Sequence, residues 1–127
     1  MGKETIHSDD APPAAGAYSQ ATTDGDLVFT AGQVALTPDG EPLDSEPVEV
    51  QTERALENLE AVLEEAGTSL DNVLKTTVFL ADIDDFEAMN EAYGSYFESE
   101  PPARSAVQAG ALPLGMAVEI EAIATRS

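Results

Sequence analysis

The sequence predicts an α+β fold, a mixed β-sheet with two helices packed on one of its faces. Three observations lead there. Apolar residues recur at helical spacing over 46–66, and again from about 82 until the Pro101-Pro102 pair stops them. Between and around these stretches lie short alternating or β-branched runs. The resulting order is β-hairpin, helix, strand, helix, strand, strand, which suits helices gathered on one side of a sheet. At 127 residues the chain is expected to form a single domain over 1–127, long enough to bury roughly two thirds of its unfolded surface.

The elements follow in order. After a short polar lead, the prolines of Ala11-Pro12-Pro13 force an extended or turning entry toward Tyr18, at the start of the first substantial strand. Thr23-Asp24-Gly25-Asp26 is a hairpin signal, because Asp-Gly accepts the positive φ of a tight turn, and 27–36 reads as the returning strand. Gly32 interrupts that strand and marks a bulge or a close approach to the backbone. Thr37-Pro38-Asp39-Gly40 is a second turn.

The first helix, 46–66, is read from Val48, Thr52, Ala55, Leu59, Val62 and Ala66, with Leu56 and Leu63 widening the stripe. Ser45 is its expected N-cap and Gly67 its stop. Its outer face carries Glu53, Glu57, Glu60 and Glu64, like charges that cost a few tenths of a kcal/mol each when a turn apart. Residues 73–81 form a β-branched strand with Leu74, Thr76, Val78 and Leu80 on one face and Lys75, Thr77 and Phe79 on the other. Both faces are partly apolar, and two helices cannot cover both, which points to another subunit. The second helix starts near 82–85 and buries Phe86, Met89, Tyr93 and Phe97. Asn90 shares that stripe, so it must hydrogen-bond either to backbone or toward a site. Strands over 105–109 and 117–124 complete the fold.

Twenty-five acidic residues against five basic ones give a net charge of −20. That field repels polyphosphate, so nucleic acid and anionic membrane surfaces are not expected partners. Adaptation to concentrated salt accounts for it, since screening there shortens to a few ångströms. The lack of cysteine excludes disulfides and thiol chemistry, and the lone His7 makes no metal cluster, so no metal site is expected. No apolar stretch approaches the ~18 residues of a membrane span, and the N-terminus has no signal-peptide core, so the expected location is cytoplasmic. Walker, Gly-x-Gly-x-x-Gly and Gly-x-Ser-x-Gly motifs are also missing.

The clearest chemistry lies in 101–124. Arg104 sits among small and apolar residues, and a guanidinium there needs an anion, either an acid of the protein or a ligand. In the following strand, alternation places Glu119 and Glu121 on one face and Val118, Ile120 and Ala122 on the other. The two glutamates are either solvated or part of a site for a small acid.

Across nearly its full length the chain resembles the reactive intermediate deaminases, the Rid enamine/imine deaminases. The resemblance is carried by Gly16-Ala-Tyr18-Ser-Gln20, Phe29-Thr-Ala-Gly32-Gln33, Val73-Leu-Lys-Thr-Thr-Val-Phe79, Asn90-Glu-Ala-Tyr93, Pro102-Ala-Arg104-Ser105, Leu112-Pro113 and Val118-Glu119-Ile-Glu121-Ala122. It implies a chorismate-mutase-like fold assembled as a homotrimeric barrel, with sites in the clefts between subunits. It implies hydrolysis of 2-enamino and 2-imino acids to 2-keto acids and ammonia, with no cofactor, because an imine carbon is already electrophilic. By the same resemblance Arg104 clamps the substrate carboxylate, Glu119 positions water and shuttles a proton, Tyr18 and Asn90 line the pocket, and Gly32 gives backbone access. Glu121 matches a further family acid, left structural.

Two residues depart from the family pattern. Ala31 stands where many active members have serine, and Thr30 cannot replace it because it points to the opposite face. Ala106 stands where cysteine or threonine is common, a departure that matters less if only the backbone of that residue is used. The competing readings are a non-catalytic trimer that binds a small carboxylate as a regulatory signal, and a nuclease, which the charge disfavours.

Overall fold

The structure is a computed structural model that describes residues 2–126. Among these, six strands form one mixed sheet: β1 (Glu4–Ile6), β2 (Ala21–Thr23), β3 (Leu27–Thr30), β4 (Val73–Leu80), β5 (Ala103–Gln108) and β6 (Val118–Thr125). Their spatial order is β1-β2-β3-β6-β4-β5, with β4 and β5 parallel and the other neighbours antiparallel. Two helices, α1 (Val48–Glu65) and α2 (Phe86–Gly94), share a core with one face of this sheet. Leu56, Leu59, Val62 and Leu63 of α1 and Met89 of α2 meet Val78, Leu80, Val118, Ile120 and Ala122 there. Each fully buried leucine contributes roughly 1.5–3 kcal/mol relative to exposure.

The first hairpin forms as the sequence predicts. Asp24 accepts hydrogen bonds from the backbone N–H groups of Asp26 and Leu27, both at 3.0 Å, and Gly25 takes φ +111°. Those donors hold the Asp24 carboxyl below its usual range. The second turn closes through Gly40 N–H to the Thr37 carbonyl at 2.8 Å, with Gly40 at φ +88°.

Several boundaries differ from the sequence reading. The polar lead contains β1, which pairs with β2 in the register Thr5 to Thr22. The strand predicted over 27–36 ends at Thr30, and beyond it Gln33 makes an isolated bridge to Ile120. Helix α1 begins after Pro47 rather than Ser45, and no side chain caps it. Buried Gln51 serves its entry instead. Its Nε2 donates to the carbonyls of Glu46 (2.8 Å) and Asp44 (3.3 Å), while its Oε1 accepts from Ala117 N–H at 2.8 Å. Gly67, at φ +84°, ends the helix as anticipated.

Leu74 is half exposed (50%) rather than core. The register of β4 against β6 slips between Val73 and Lys75, so the bulge hands Leu74's core position to Val73. The second helix opens with a 3₁₀ turn at Ile83–Asp85, where Asp82 accepts from Asp84 N–H at 2.9 Å, and α2 then stops at Gly94. Phe97 lies past the helix yet remains buried, with its ring centroid 4.7 Å from that of Tyr93. No helix among the described residues is long and apolar enough to cross a membrane.

Candidate active site

The sheet register separates Arg104 and Glu119, where the sequence places its clearest chemistry. Arg104 stands beside Thr76 of β4, which stands opposite Ala122 of β6; Thr76 and Ala122 are buried against the helices. Glu119 stands opposite Phe79, which neighbours Val107. The two rows lie three positions apart on every strand, an odd offset, so they occupy opposite faces. Arg104 therefore faces the helix layer and Glu119 the other side.

Arg104 lines a cleft of about 370 Å³ with Asn90, Tyr93, Phe97 and Pro102. Its guanidinium lies 4.8 Å from the Tyr93 ring centroid and 5.3 Å from that of Phe86, a stacked cation–π arrangement. Nη1 donates to Asn90 Oδ1 at 2.7 Å. Tyr93 is itself fixed by a 2.7 Å hydrogen bond between its hydroxyl and that of Thr76. Burial raises the Tyr93 phenol above its ordinary range, so the ring stays neutral under the cation. The ion pairs among the described residues join His7 to Asp9 and Arg54 to Glu57; none involves Arg104. Neutral partners orient the guanidinium and leave its charge uncompensated.

Glu119 lines a second cavity, of about 500 Å³, with Tyr18, Ala31, Gly32, Val34, Leu36 and Leu114 among its walls. Glu119 packs against the bare backbone of Gly32: a side-chain carbon at that position would overlap its carboxylate, lying 2.8 Å from Cδ, so the carboxyl would have to move. The interruption seen in the sequence thus marks the approach of the protein's own acid. Burial raises the Glu119 carboxyl above its usual range, and the like charge of Glu121 adds to the rise. A carboxylate so placed is a better proton acceptor than one in water.

Tyr18 sits at the cavity rim, 54% exposed, its hydroxyl accepting from Ala15 N–H at 3.2 Å. Ala31 adds an apolar wall. The Thr30 hydroxyl is committed elsewhere, accepting from Ala122 N–H at 2.9 Å. Ala106 lines neither cavity, and its side chain packs against the core. Glu121 shares the face of Glu119 and is exposed. The described residues contain no group of three or more His, Cys, Asp or Glu side chains that could hold a metal.

Val34, Leu36 and Leu114 are cavity walls that the sequence pattern alone does not single out. Leu114 carried a signal: it sits between Pro113 and Gly115, and it takes φ +58°, a conformation that costs about 1–2 kcal/mol in a residue with a side chain. At 60% exposure it sets an apolar side chain at the cavity mouth.

Known proteins share this architecture. The sequence profile of the endoribonuclease L-PSP family matches residues 8–126. The chloroplastic Reactive Intermediate Deaminase A of Arabidopsis thaliana is 46% identical over 123 residues, 97% of this chain and 66% of that protein. The 2-iminobutanoate/2-iminopropanoate deaminase of Rattus norvegicus is 44% identical over 124 residues, covering 98% and 90% of the two chains. The structure of E. coli TdcF with bound serine superimposes with a TM-score of 0.92 at 40% identity, over 98% of this chain and 99% of that one. With profile, sequence and fold in agreement over almost its whole length, the chain belongs to the endoribonuclease L-PSP (YjgF/Rid) family.

Proposed function

We propose that the protein hydrolyses reactive 2-enamino and 2-imino acids, among them 2-iminopropanoate and 2-iminobutanoate, to 2-keto acids and ammonia. One observation carries the reading most of the way. In a chain with 25 acidic residues, Arg104 is held by two aromatic rings and an amide, with no carboxylate among the described residues paired to it. A fork left free amid so much negative charge is suited to an external carboxylate. The relative named as a 2-iminobutanoate/2-iminopropanoate deaminase and the serine bound to TdcF, which carries an α-carboxylate beside a nitrogen, agree with this ligand class.

In the mechanism that follows, Arg104 grips the substrate carboxylate, and Asn90, by holding Nη1, sets the plane of the guanidinium. The enamine first tautomerises to the imine. Glu119, as carboxylate, takes a proton from water as the water oxygen bonds to C2 and the C=N π electrons move to nitrogen. The protonated Glu119 returns that proton to the nitrogen, giving a neutral carbinolamine, and then carries the C2 hydroxyl proton to the same nitrogen; the C–N bond breaks, its electron pair leaves with ammonia, and the C2 oxygen becomes the keto oxygen. Tyr18 at the rim supplies a hydroxyl to the polar end of the intermediate, and Gly32 and Ala31 leave space beside it. The bonds made and broken require no cofactor.

Because Arg104 and Glu119 face opposite sides of one sheet, the complete site joins the Arg104 cleft of one copy to the Glu119 cavity of another. We place this in a homotrimer of chorismate-mutase-like arrangement, single-domain chains with their sheets turned inward. Phe29 (44% exposed) and Val107 (45%) lie uncovered on the face away from the helices, as an inward-packed sheet requires. We place the protein in the cytoplasm.

The alternative is a trimer that binds small carboxylates without turnover, which Arg104 alone would permit and Ala31, lacking a serine hydroxyl, mildly favours. Glu119→Gln separates the two. Turnover of 2-iminobutanoate, generated by threonine dehydratase in molar KCl and followed with a semicarbazide trap, falls by about 10²–10⁴-fold. Binding of 2-ketobutyrate survives. Arg104→Ala abolishes both. Equal inertness of the wild type and both variants would leave the binding reading in first place. The nuclease activity in the family's description fits poorly with a −20 field. RNA cleavage that persists through rigorous purification would overturn that judgement.

A further inference from the structure

Helix α1 carries a polar residue where its pattern calls for an apolar one. Asn58 falls on the buried arc between Ala55, Leu59 and Val62 and is fully enclosed (0% exposed). An enclosed amide is unfavourable unless hydrogen-bonded, and this one is bonded at both ends. Its Nδ2 donates to the carbonyls of Leu36 at 2.9 Å and Val34 at 3.2 Å. Its Oδ1 accepts from Arg54 Nε at 3.1 Å and Nη2 at 2.8 Å, and Arg54 is in turn held 3.3 Å from Glu57. The charged donors on Oδ1 fix which end of the amide meets the two carbonyls.

Those carbonyls belong to the segment that has left the sheet after β3. Gln33 still pairs with Ile120, and the Ala35 carbonyl accepts from Leu43 N–H at 2.9 Å, so the path of the chain is anchored on either side. What Asn58 adds is the orientation of the peptide planes that follow Val34 and Leu36. These two residues line the Glu119 cavity, alongside Ala31 and Leu114, and supply part of its apolar wall.

We propose that Asn58, clamped by Arg54, is a positioning residue for substrate selection: it fixes the Val34 and Leu36 wall and so sets how long an apolar side chain the imino acid can carry. The inference rests on the deaminase reading above and deepens it. Asn58 touches no reacting atom, so its effect falls on binding of the side chain rather than on the chemical step. Apolar selection is sensitive to such placement, because one methylene in a pocket is worth roughly 10–200-fold in kcat/KM.

The test compares imino acids with side chains of one to five carbons, made in situ by an amino-acid oxidase in molar KCl. Asn58→Asp keeps the size and the acceptor for Arg54 but replaces the donors facing the carbonyls. Arg54→Met keeps Asn58 and releases its amide. The expected result is a change of about tenfold in the kcat/KM ratio of shortest to longest substrate, carried by KM, with kcat for the shortest changing less. An unchanged ratio in a folded Asn58→Asp overturns the proposal. If that variant does not fold by circular dichroism, the ratio in Arg54→Met decides in the same way. A wild type inert toward every imino acid would instead sink the deaminase reading. The wall is then read from the dissociation constants of 2-keto acids of the same lengths, where a profile that Asn58→Asp leaves unchanged overturns the proposal.

Discussion

Gly32→Ala separates the geometry of the Glu119 cavity from the stability of the fold. A side-chain carbon at 32 would overlap Glu119 Oε2 and lie 2.8 Å from Cδ and 3.0 Å from Cγ. Carbon atoms pack at about 3.5–4.0 Å, so the carboxyl group must retreat by roughly 1 Å. The backbone itself accepts alanine, since Gly32 is not among the positive-φ residues, and reduced freedom of the unfolded chain contributes about 0.4–1 kcal/mol in favour of folding. The group that must move is the end of a flexible side chain, at about 0.5–1.5 kcal/mol of rotamer strain. These effects nearly cancel, and the melting temperature should stay within about 4 °C of wild type. Catalysis should not be spared: a 1 Å misplacement costs about 10²-fold. Thermal melting and kcat on 2-iminobutanoate, measured on one preparation, test both halves. Wild-type kcat in a folded Gly32→Ala would refute the placement of Glu119 as the residue that holds the water.

Three further outcomes follow from the same structure. Glu121→Gln removes the like charge that adds to burial in raising the Glu119 carboxyl, so the acid limb of kcat/KM, which needs the carboxylate, should move to lower pH; a fixed limb would detach Glu119 from it. The stability sign is the reverse of the usual acid: a raised carboxyl binds its proton more tightly folded than unfolded, so its contribution is gained as pH falls through the folded value and lost above it. Tyr93→Phe leaves the buried Thr76 hydroxyl without its 2.7 Å partner and should lower stability by about 1–3 kcal/mol in urea titration, whereas an unshifted midpoint would mean the hydroxyl finds another hydrogen-bond partner. Raising KCl from about 0.1 to about 1 M shortens the screening length from roughly 10 to 3 Å and should raise the melting temperature of a chain with a charge of −20, while a flat response would remove the case for salt adaptation.

Much of this was legible because it depends on local pattern. The stripe from Val48 to Val62 announces α1, Asp24-Gly25 announces the hairpin, and alternation places Glu119 and Glu121 on a common face. Glu4, Thr5 and Ile6 show no alternation, and they form a strand only because Ala21–Thr23 offers an unpaired edge. The bulge that exposes Leu74 arises from pairing with a strand some fifty residues away, which no window around Leu74 contains. The opposite facing of Arg104 and Glu119 is likewise a property of register across three strands. Asn58 is different: an amide inside the apolar arc of α1 was a visible signal of a buried hydrogen-bonding role, though the carbonyls it serves lie 22 and 24 residues earlier.

The position of β6 has a consequence for how the chain acquires its shape. This strand follows every other element in the sequence, yet it lies between β3 and β4 in the sheet. Until it arrives, the hairpin of β2 and β3 and the parallel pair of β4 and β5 have no strand in common, and their inner edges are open to wrong partners. During synthesis the two halves must therefore wait, leaving both edges available to other nascent chains or to chaperones. Insertion of Val118–Thr125 then closes the sheet and, in the same event, delivers Glu119 beside Gly32, so completion of the fold and assembly of this half of the proposed site coincide.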